Sequence, residues 1–369
     1  MLLYIIVTGI AVTLGFLVDN HYSGQTKEIS RAQMLNILSL SAIFILLFSV
    51  SALRLNVGND YAKYVEFMHL IVCNAEVPTE FGFNALVRFL YALSGFENYL
   101  LVFGVFAFFT ILIFLRGIYV QADHFGASFF LFMMLGYYFQ SFNTVRYYLA
   151  LAIAVAVIPY VLRKEWVKFI LLVLLGATLH KSLLVILPLY YLASLNYKKW
   201  HLVVMGGLCT TFFFMQDFYL KVLVILYPTY EDTEYLAGGT SLITIVRCAA
   251  VLVLSLILYK NAVQNSAQNR FYFYCNLGAL VMYVCCSFLP VISRIGYYLT
   301  VTHIFFIPAL VKRVENPKWK RLCTVLVCAC AVLFFAILIL RKAGADGLRI
   351  LPYETFIFHE MVPILSDVN

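Results

Sequence analysis

The sequence predicts an all-α protein, a polytopic bundle of transmembrane helices with about 10–12 spans, and three observations predict it. Of the 369 residues, 63% are hydrophobic and only 12% charged, with a mean hydropathy of +0.92. Uncharged runs follow one another from end to end, many of bilayer-crossing length. The basic residues gather in alternate loops between those runs. No water-soluble domain has this composition, so the soluble enzyme classes are excluded.

The runs, in order, are 2–18, 32–53, 98–115, 125–145, 147–162, 169–179, 182–197, 202–216, 241–259, 271–293, 295–311 and 322–340. A helix needs about 20 residues to cross at 1.5 Å each. The short pair flanking His180 therefore reads as two half-spans or a re-entrant hairpin. The first run has no basic stretch before it and no small-residue cleavage site after it, so it reads as a retained span. The nine cysteines lie almost entirely inside apolar runs, without metal or redox spacing. They are expected to be small core residues, with no disulfide, metal or cofactor implied.

Orientation follows from the loops. Alternate loops, beginning after the first run, carry fifteen of the 26 basic residues and only five of the 18 acidic ones. The positive-inside rule places these loops in the cytoplasm and both termini outside. The net charge of +8 is thereby topological and gives no reason to expect nucleic acid.

The opposite, outer side is the more elaborate. Residues 54–97 contain Tyr61, Tyr64, Val65, Met68, Ile71 and Val72 at helical spacing, then Phe83, Leu86, Val87, Leu90 and Tyr91 in the same manner. They read as two amphipathic juxtamembrane helices. The second outer loop, 217–240, is tyrosine-rich and acidic and reads as a cover over a cleft or a solvated loop; a tail, 341–369, follows the last span. No repeat or low-complexity linker divides the chain, so residues 1–369 read as a single integral membrane domain.

Chemistry is expected where charge meets hydrocarbon, because a charged side chain there costs about 2.5 to 3.5 kcal/mol unless it is paired or hydrated. Arg54, Asn56, Asn59 and Asp60 follow directly on a charge-free run of 22 residues. Their plain reading is helix capping: Arg54 at the C-terminus of one helix, Asp60 at the start of the next. Arg146 interrupts what would otherwise be 38 uncharged residues and is preceded by Gln140, Ser141, Asn143 and Thr144. His180-Lys181-Ser182 stands at an outward turn. Arg294 opens Arg294-Ile295-Gly296-Tyr297-Tyr298, and Arg247 lies within its span. Several guanidinium groups facing one outward cavity suit a phosphate-bearing ligand. A ligand that enters from lipid and presents phosphate at the outer surface would be a polyprenyl diphosphate. Tyrosines beside the polar groups offer sugars a flat face and a hydroxyl.

These motifs resemble the EpsG family of bacterial exopolysaccharide polymerases, which are Wzy-like integral membrane glycosyltransferases. The resemblance rests on Arg54 with Val57-Gly58-Asn59-Asp60-Tyr61, on Glu80-Phe81-Gly82-Phe83 and on Arg146 with its alanine-rich span. It continues through His180-Lys181-Ser182, Arg294-Ile295-Gly296-Tyr297-Tyr298 and Pro352-Tyr353. It implies a GT-C-like helical fold in the bacterial cytoplasmic (inner) membrane, with the active site facing the periplasm or outside. It further implies polymerisation of undecaprenyl-diphosphate-linked oligosaccharide repeat units into exopolysaccharide, capsule or O-antigen, by inverting, metal-independent chemistry. Donor and acceptor would both be lipid-linked, with flippase and chain-length regulator proteins as partners. On this reading Arg146 and Arg294 hold the diphosphate with Arg54 assisting, while Lys181, Tyr61, Tyr147, Tyr297, Tyr298 and Arg247 contact lipid diphosphate or glycan. The base is His180 or Asp60; histidine suits near-neutral pH better, leaving Asp60 to orient Arg54 or the acceptor sugar.

Two rivals use a similar cavity: a ligase passing the glycan to another acceptor, and a flippase or transporter of the lipid-linked unit. Transporters usually show repeat symmetry and midplane ion sites, neither of which the sequence displays. A membrane acyltransferase is weakened because His180 has no acidic companion nearby in the sequence.

Overall fold

The computed structural model describes residues 1–20, 30–197, 199–226, 240–289, 292–344 and 347–358, which are helical with no β-strand. In chain order the helices are α1 (Leu2–Phe16), α2 (Arg31–Ala52), α3 (Tyr61–Val72), α4 (Phe81–Ser94), α5 (Tyr99–Gln121) and α6 (Phe125–Met134). There follow α7 (Tyr137–Gln140), α8 (Val145–Leu162), α9 (Trp166–Ala177), α10 (Ile186–Ala193), α11 (Lys199–Phe214) and α12 (Gln216–Leu226). The last are α13 (Leu242–Ile257), α14 (Ala267–Cys285), α15 (Ile292–Thr300), α16 (His303–Lys312) and α17 (Pro317–Ile337). Among the described residues five stretches are long and apolar enough to cross a membrane: Arg31–Ala52, Tyr99–Gln121, Val145–Leu162, Ile292–Lys312 and Pro317–Lys342. Shorter apolar helices, α9 and α10 among them, accompany these five. The tyrosine-rich part of the second outer loop, from Tyr227 to Gly239, lies outside the described residues.

Two compact units divide the chain. The first comprises Met1–Val157, Ile170–Leu184 and Asn316–Asn369; the second, Ile158–Phe169 and Val185–Glu315.

In the first unit α2 packs against α1 and α5. Its start is fixed by a capping box, in which Ser30 and Gln33 each accept the other's backbone N–H. Its buried stripe includes Asn36, Ser39 and Ser51, whereas Ile37, Leu38 and Ile45 face outward. That inversion is what lipid selects, because hydrocarbon welcomes leucine while a polar side chain must find a partner inside the protein. Asn36 finds one in the backbone of Asp19, donating to its carbonyl at 2.6 Å and accepting its N–H at 2.8 Å.

The two amphipathic stripes are where the sequence places them. Tyr61, Tyr64, Val65, Met68 and Ile71 of α3, and Phe83, Val87, Leu90 and Tyr91 of α4, are buried in one core with Tyr99, Val102, Phe103 and Phe106 of α5. Leu86 packs against that core from its edge, and Val72 is exposed.

The apolar run 125–145 differs from expectation. It is not one span: α6 stops at Met134, Gly136 adopts φ +77°, and only the four residues of α7 precede a turn. That left-handed φ is what favours glycine at 136, and the Leu338 side chain packs against the same point, its Cδ2 2.5 Å from where a Cβ would lie.

The turn that follows α7 receives the loop after α2. Gly58, at φ +113°, brings its backbone so close that a Cβ would fall 2.3 Å from the Phe142 carbonyl oxygen. Beside it the Asp60 N–H donates to Asn143 Oδ1 at 2.9 Å. The tail closes over the same loop: Leu55 N–H donates to Glu354 O at 2.9 Å, Gly58 N–H to Arg349 O at 2.8 Å, and Asn59 N–H to Leu348 O at 3.1 Å. Tyr353 donates its hydroxyl to Val50 O at 3.0 Å, which explains the late Pro352-Tyr353 motif as a structural latch.

In the second unit α14 packs on α13, α15 and α16. Asn276 joins three helices: its amide donates to Cys248 O at 3.1 Å, and its Oδ1 lies 2.7 Å from Nε2 of the fully buried His303. Tyr190 donates its hydroxyl to Tyr298 O at 2.9 Å.

Candidate functional site

Three sequence-distant pieces of the first unit converge on one carboxylate. Glu80 precedes α4 at its N-cap position, yet its side chain makes no cap hydrogen bond there. It turns instead to Arg146, in the first turn of α8, with which Oε2 forms an ion pair. Its Oε1 lies 3.4 Å from His180 Nδ1 and accepts the backbone N–H of Lys181 at 3.0 Å. The side chains of Glu80, Arg146 and His180 retain 14%, 10% and 16% of their accessibility, so the cluster is largely shielded from solvent.

Neighbouring residues hold this geometry. The Arg146 guanidinium lies over the Phe83 ring at 4.9 Å and the Tyr64 ring at 5.5 Å, so aromatic faces supply part of its solvation. Gly82 donates its N–H to Thr178 O at 2.9 Å. A Cβ on Gly82 would lie 2.5 Å from Thr178 Oγ1, so only glycine lets the start of α4 reach the turn that carries His180. Tyr147 sets its ring edge-on to the His180 imidazole, 5.8 Å between centroids.

Electrostatics fix the role of Glu80. Burial pushes its carboxyl up, but the hydrogen bond with His180 and the charge of Arg146 outweigh burial and hold it down at about 2. Glu80 is therefore ionised at neutral pH and too weak a base to compete for the acceptor proton; it orients and balances the groups around it. Its ordinary value is 4.5, so the stability it contributes is complete above that pH and lost as pH falls toward about 2. The difference in melting temperature between the wild-type chain and Glu80→Gln should stay constant from pH 7 to pH 5 and shrink below it. A difference unchanged at pH 3 would contradict the assignment.

The other expected residues divide by unit. Arg54 is 1% exposed. It caps α2 as the plain reading has it, donating from Nη1 to Ser51 O at 2.6 Å and to Ser51 Oγ at 2.9 Å. Its guanidinium lies 5.0 Å from the Phe142 ring centre and 5.3 Å from that of Phe103. Tyr61 stacks on the same Phe103 at 4.4 Å. Phe103 in turn meets Tyr64 edge-on, and so the Arg54 and Arg146 sites share one aromatic core. Asp60 takes the N-cap position of α3 without a side-chain cap bond. In the second unit Arg294 is exposed near the start of α15, Arg247 and Tyr297 are partly buried, and Tyr298 is fully buried.

Two residues to which sequence reasoning gave no role make polar contacts inside the fold. Glu80 is the acidic companion of His180, 100 positions before it in the chain. Its only sequence signal is the Glu80-Phe81-Gly82-Phe83 motif. His303 is the buried partner of Asn276, signalled by a histidine inside an apolar run.

The fold and this shielded ionic cluster define a multi-pass, all-helical membrane protein. The chain belongs to the EpsG family, whose model matches residues 37–355, most of its length. No curated protein and no solved structure matches it. Family membership points to an exopolysaccharide-related polymerase and to a glycosyltransferase-like role.

Proposed function

We propose that the chain is a membrane glycosyltransferase of the bacterial cytoplasmic membrane. It joins undecaprenyl-diphosphate-linked oligosaccharide units on the outer side, by an inverting reaction without a metal. The observation that carries this reading is the largely shielded Glu80–Arg146–His180 cluster with the exposed Lys181 beside it.

In the reaction a hydroxyl oxygen of the incoming unit attacks the anomeric carbon of the growing chain. The bond from that carbon to the diphosphate breaks, its electron pair leaves on the phosphate oxygen, and the hydroxyl proton passes to His180. Glu80 Oε1, 3.4 Å from Nδ1, favours the histidine tautomer with its proton there, which makes Nε2 the atom assigned to take the acceptor proton. Arg146 pairs with Glu80 through Nη1. The guanidinium is assigned to the departing diphosphate, and Lys181 adds a second positive charge. Glu80 and Arg146 offset one another, so the formal charges of Glu80, Arg146 and Lys181 together sum to +1.

Cells lacking the chain, complemented with wild type or with nothing, provide the test through the size and location of their polyprenyl-linked glycans. Single units accumulating on the outer face without the chain, and long chains returning with it, are expected. Single units trapped on the cytoplasmic face would mean a flippase and would overturn the proposal.

A further inference from the structure

Besides the ionic cluster, the first unit contains a cavity of about 380 Å³ between the C-terminal half of α4 and the end of α3, lined by Asn74, Arg88, Tyr91, Phe96 and Glu97 with neighbouring small and apolar groups. That volume falls within the roughly 300–1,000 Å³ of small-molecule sites. Its charged groups are held in place. Arg88 donates from Nη2 to Ile71 O at 3.2 Å, and Glu97 pairs with His69 Nδ1 at 2.9 Å. Phe96 is 60% exposed and offers a free ring, while Tyr91 is almost wholly buried and forms the floor.

The lining combines a cation, a carboxylate, an amide and an exposed aromatic face. A site for a simple anion would exclude the carboxylate, and a purely lipidic groove would exclude both charges. Sugars are the ligands that use all four, stacking their C–H face on an aromatic ring while their hydroxyls bond to charged and amide groups. Placement adds a second argument. Arg88 follows Glu80 by eight residues on the same helix, about 12 Å along its axis, and the cavity extends onward from there. A glycan of a few sugars leaving the Glu80 end would reach it.

We propose that this cavity is a glycan subsite that grips the growing chain behind the reacting end and so sets product length. The inference rests on the polymerase reading above.

The test uses the full chain in nanodiscs, supplied with single lipid-linked units extracted from cells that lack it. Arg88→Gln and Phe96→Ser alter exposed side chains at two separate points of the cavity. Each should replace long chains by short products, the two-unit product included, with a several-fold fall in modal length and an unchanged melting temperature. A wild-type length distribution in both variants would overturn the subsite. So would loss of every product, which would place the cavity in the reaction centre. Shortening seen only when the nanodisc contains phosphatidylglycerol, and absent in pure phosphatidylcholine, would mean a lipid headgroup contact and would likewise overturn it. If the wild-type chain itself makes no multi-unit product, the polymerase reading fails first, and that result is distinct from the others.

Discussion

Replacing Arg146 by lysine is expected to remove nearly all polymer, a fall of about 100-fold or more, while the protein accumulates normally. Lysine keeps the charge and can still pair with Glu80, so the fold retains its ionic contact. What it loses is the planar group lying on Phe83 and Tyr64 and the additional donors, which together aim the charge at a diphosphate. Glycan sizing alongside immunodetection of the chain checks this. Normal polymer from Arg146→Lys would reduce Arg146 to a structural ion-pair partner.

The second large effect concerns Glu80. Glu80→Gln leaves a shielded guanidinium without its counter-charge and should cost roughly 3 kcal/mol of stability, along with most of the polymer. Arg146→Met alone should abolish polymer too. The double variant Glu80→Gln, Arg146→Met should regain much of the stability, because removing both charges removes the uncompensated burial. Polymer should not return with it. Thermal unfolding in detergent and glycan sizing on the same four proteins separate the two roles. Recovery of polymer in the double variant would mean that the pair serves the fold alone.

How far the sequence led depended on the range of each interaction. The stripes of α3 and α4 were legible because amphipathic periodicity is local, and the residues it selects are the ones buried against α5. Arg54 was legible as a polar residue at the end of a span, and its capping role follows from neighbours three positions away. The companionship of Glu80 with His180 was not legible, since the 99 intervening residues must fold before the two meet. The expectation that His180 lacks an acidic partner was drawn from sequence neighbours, and folding overturns it. Likewise the run 125–145 looks like a span by hydropathy. What breaks it is the left-handed turn at Gly136, beside a side chain from residue 338 that no local pattern reveals. The Gly58 and Gly82 motifs read in the sequence as family signatures. In the structure they are points of backbone contact that admit no side chain, and each docks one polar motif onto another.

The most direct measurement is a reaction containing only the purified full-length chain in nanodiscs and lipid-linked single repeat units. Wild type is expected to give a ladder of longer lipid-linked glycans with one polyprenyl diphosphate released for each new bond, and Arg146→Lys to give neither product. A wild-type chain that releases no diphosphate and lengthens nothing, or an Arg146→Lys chain that does both at the wild-type rate, would contradict this expectation.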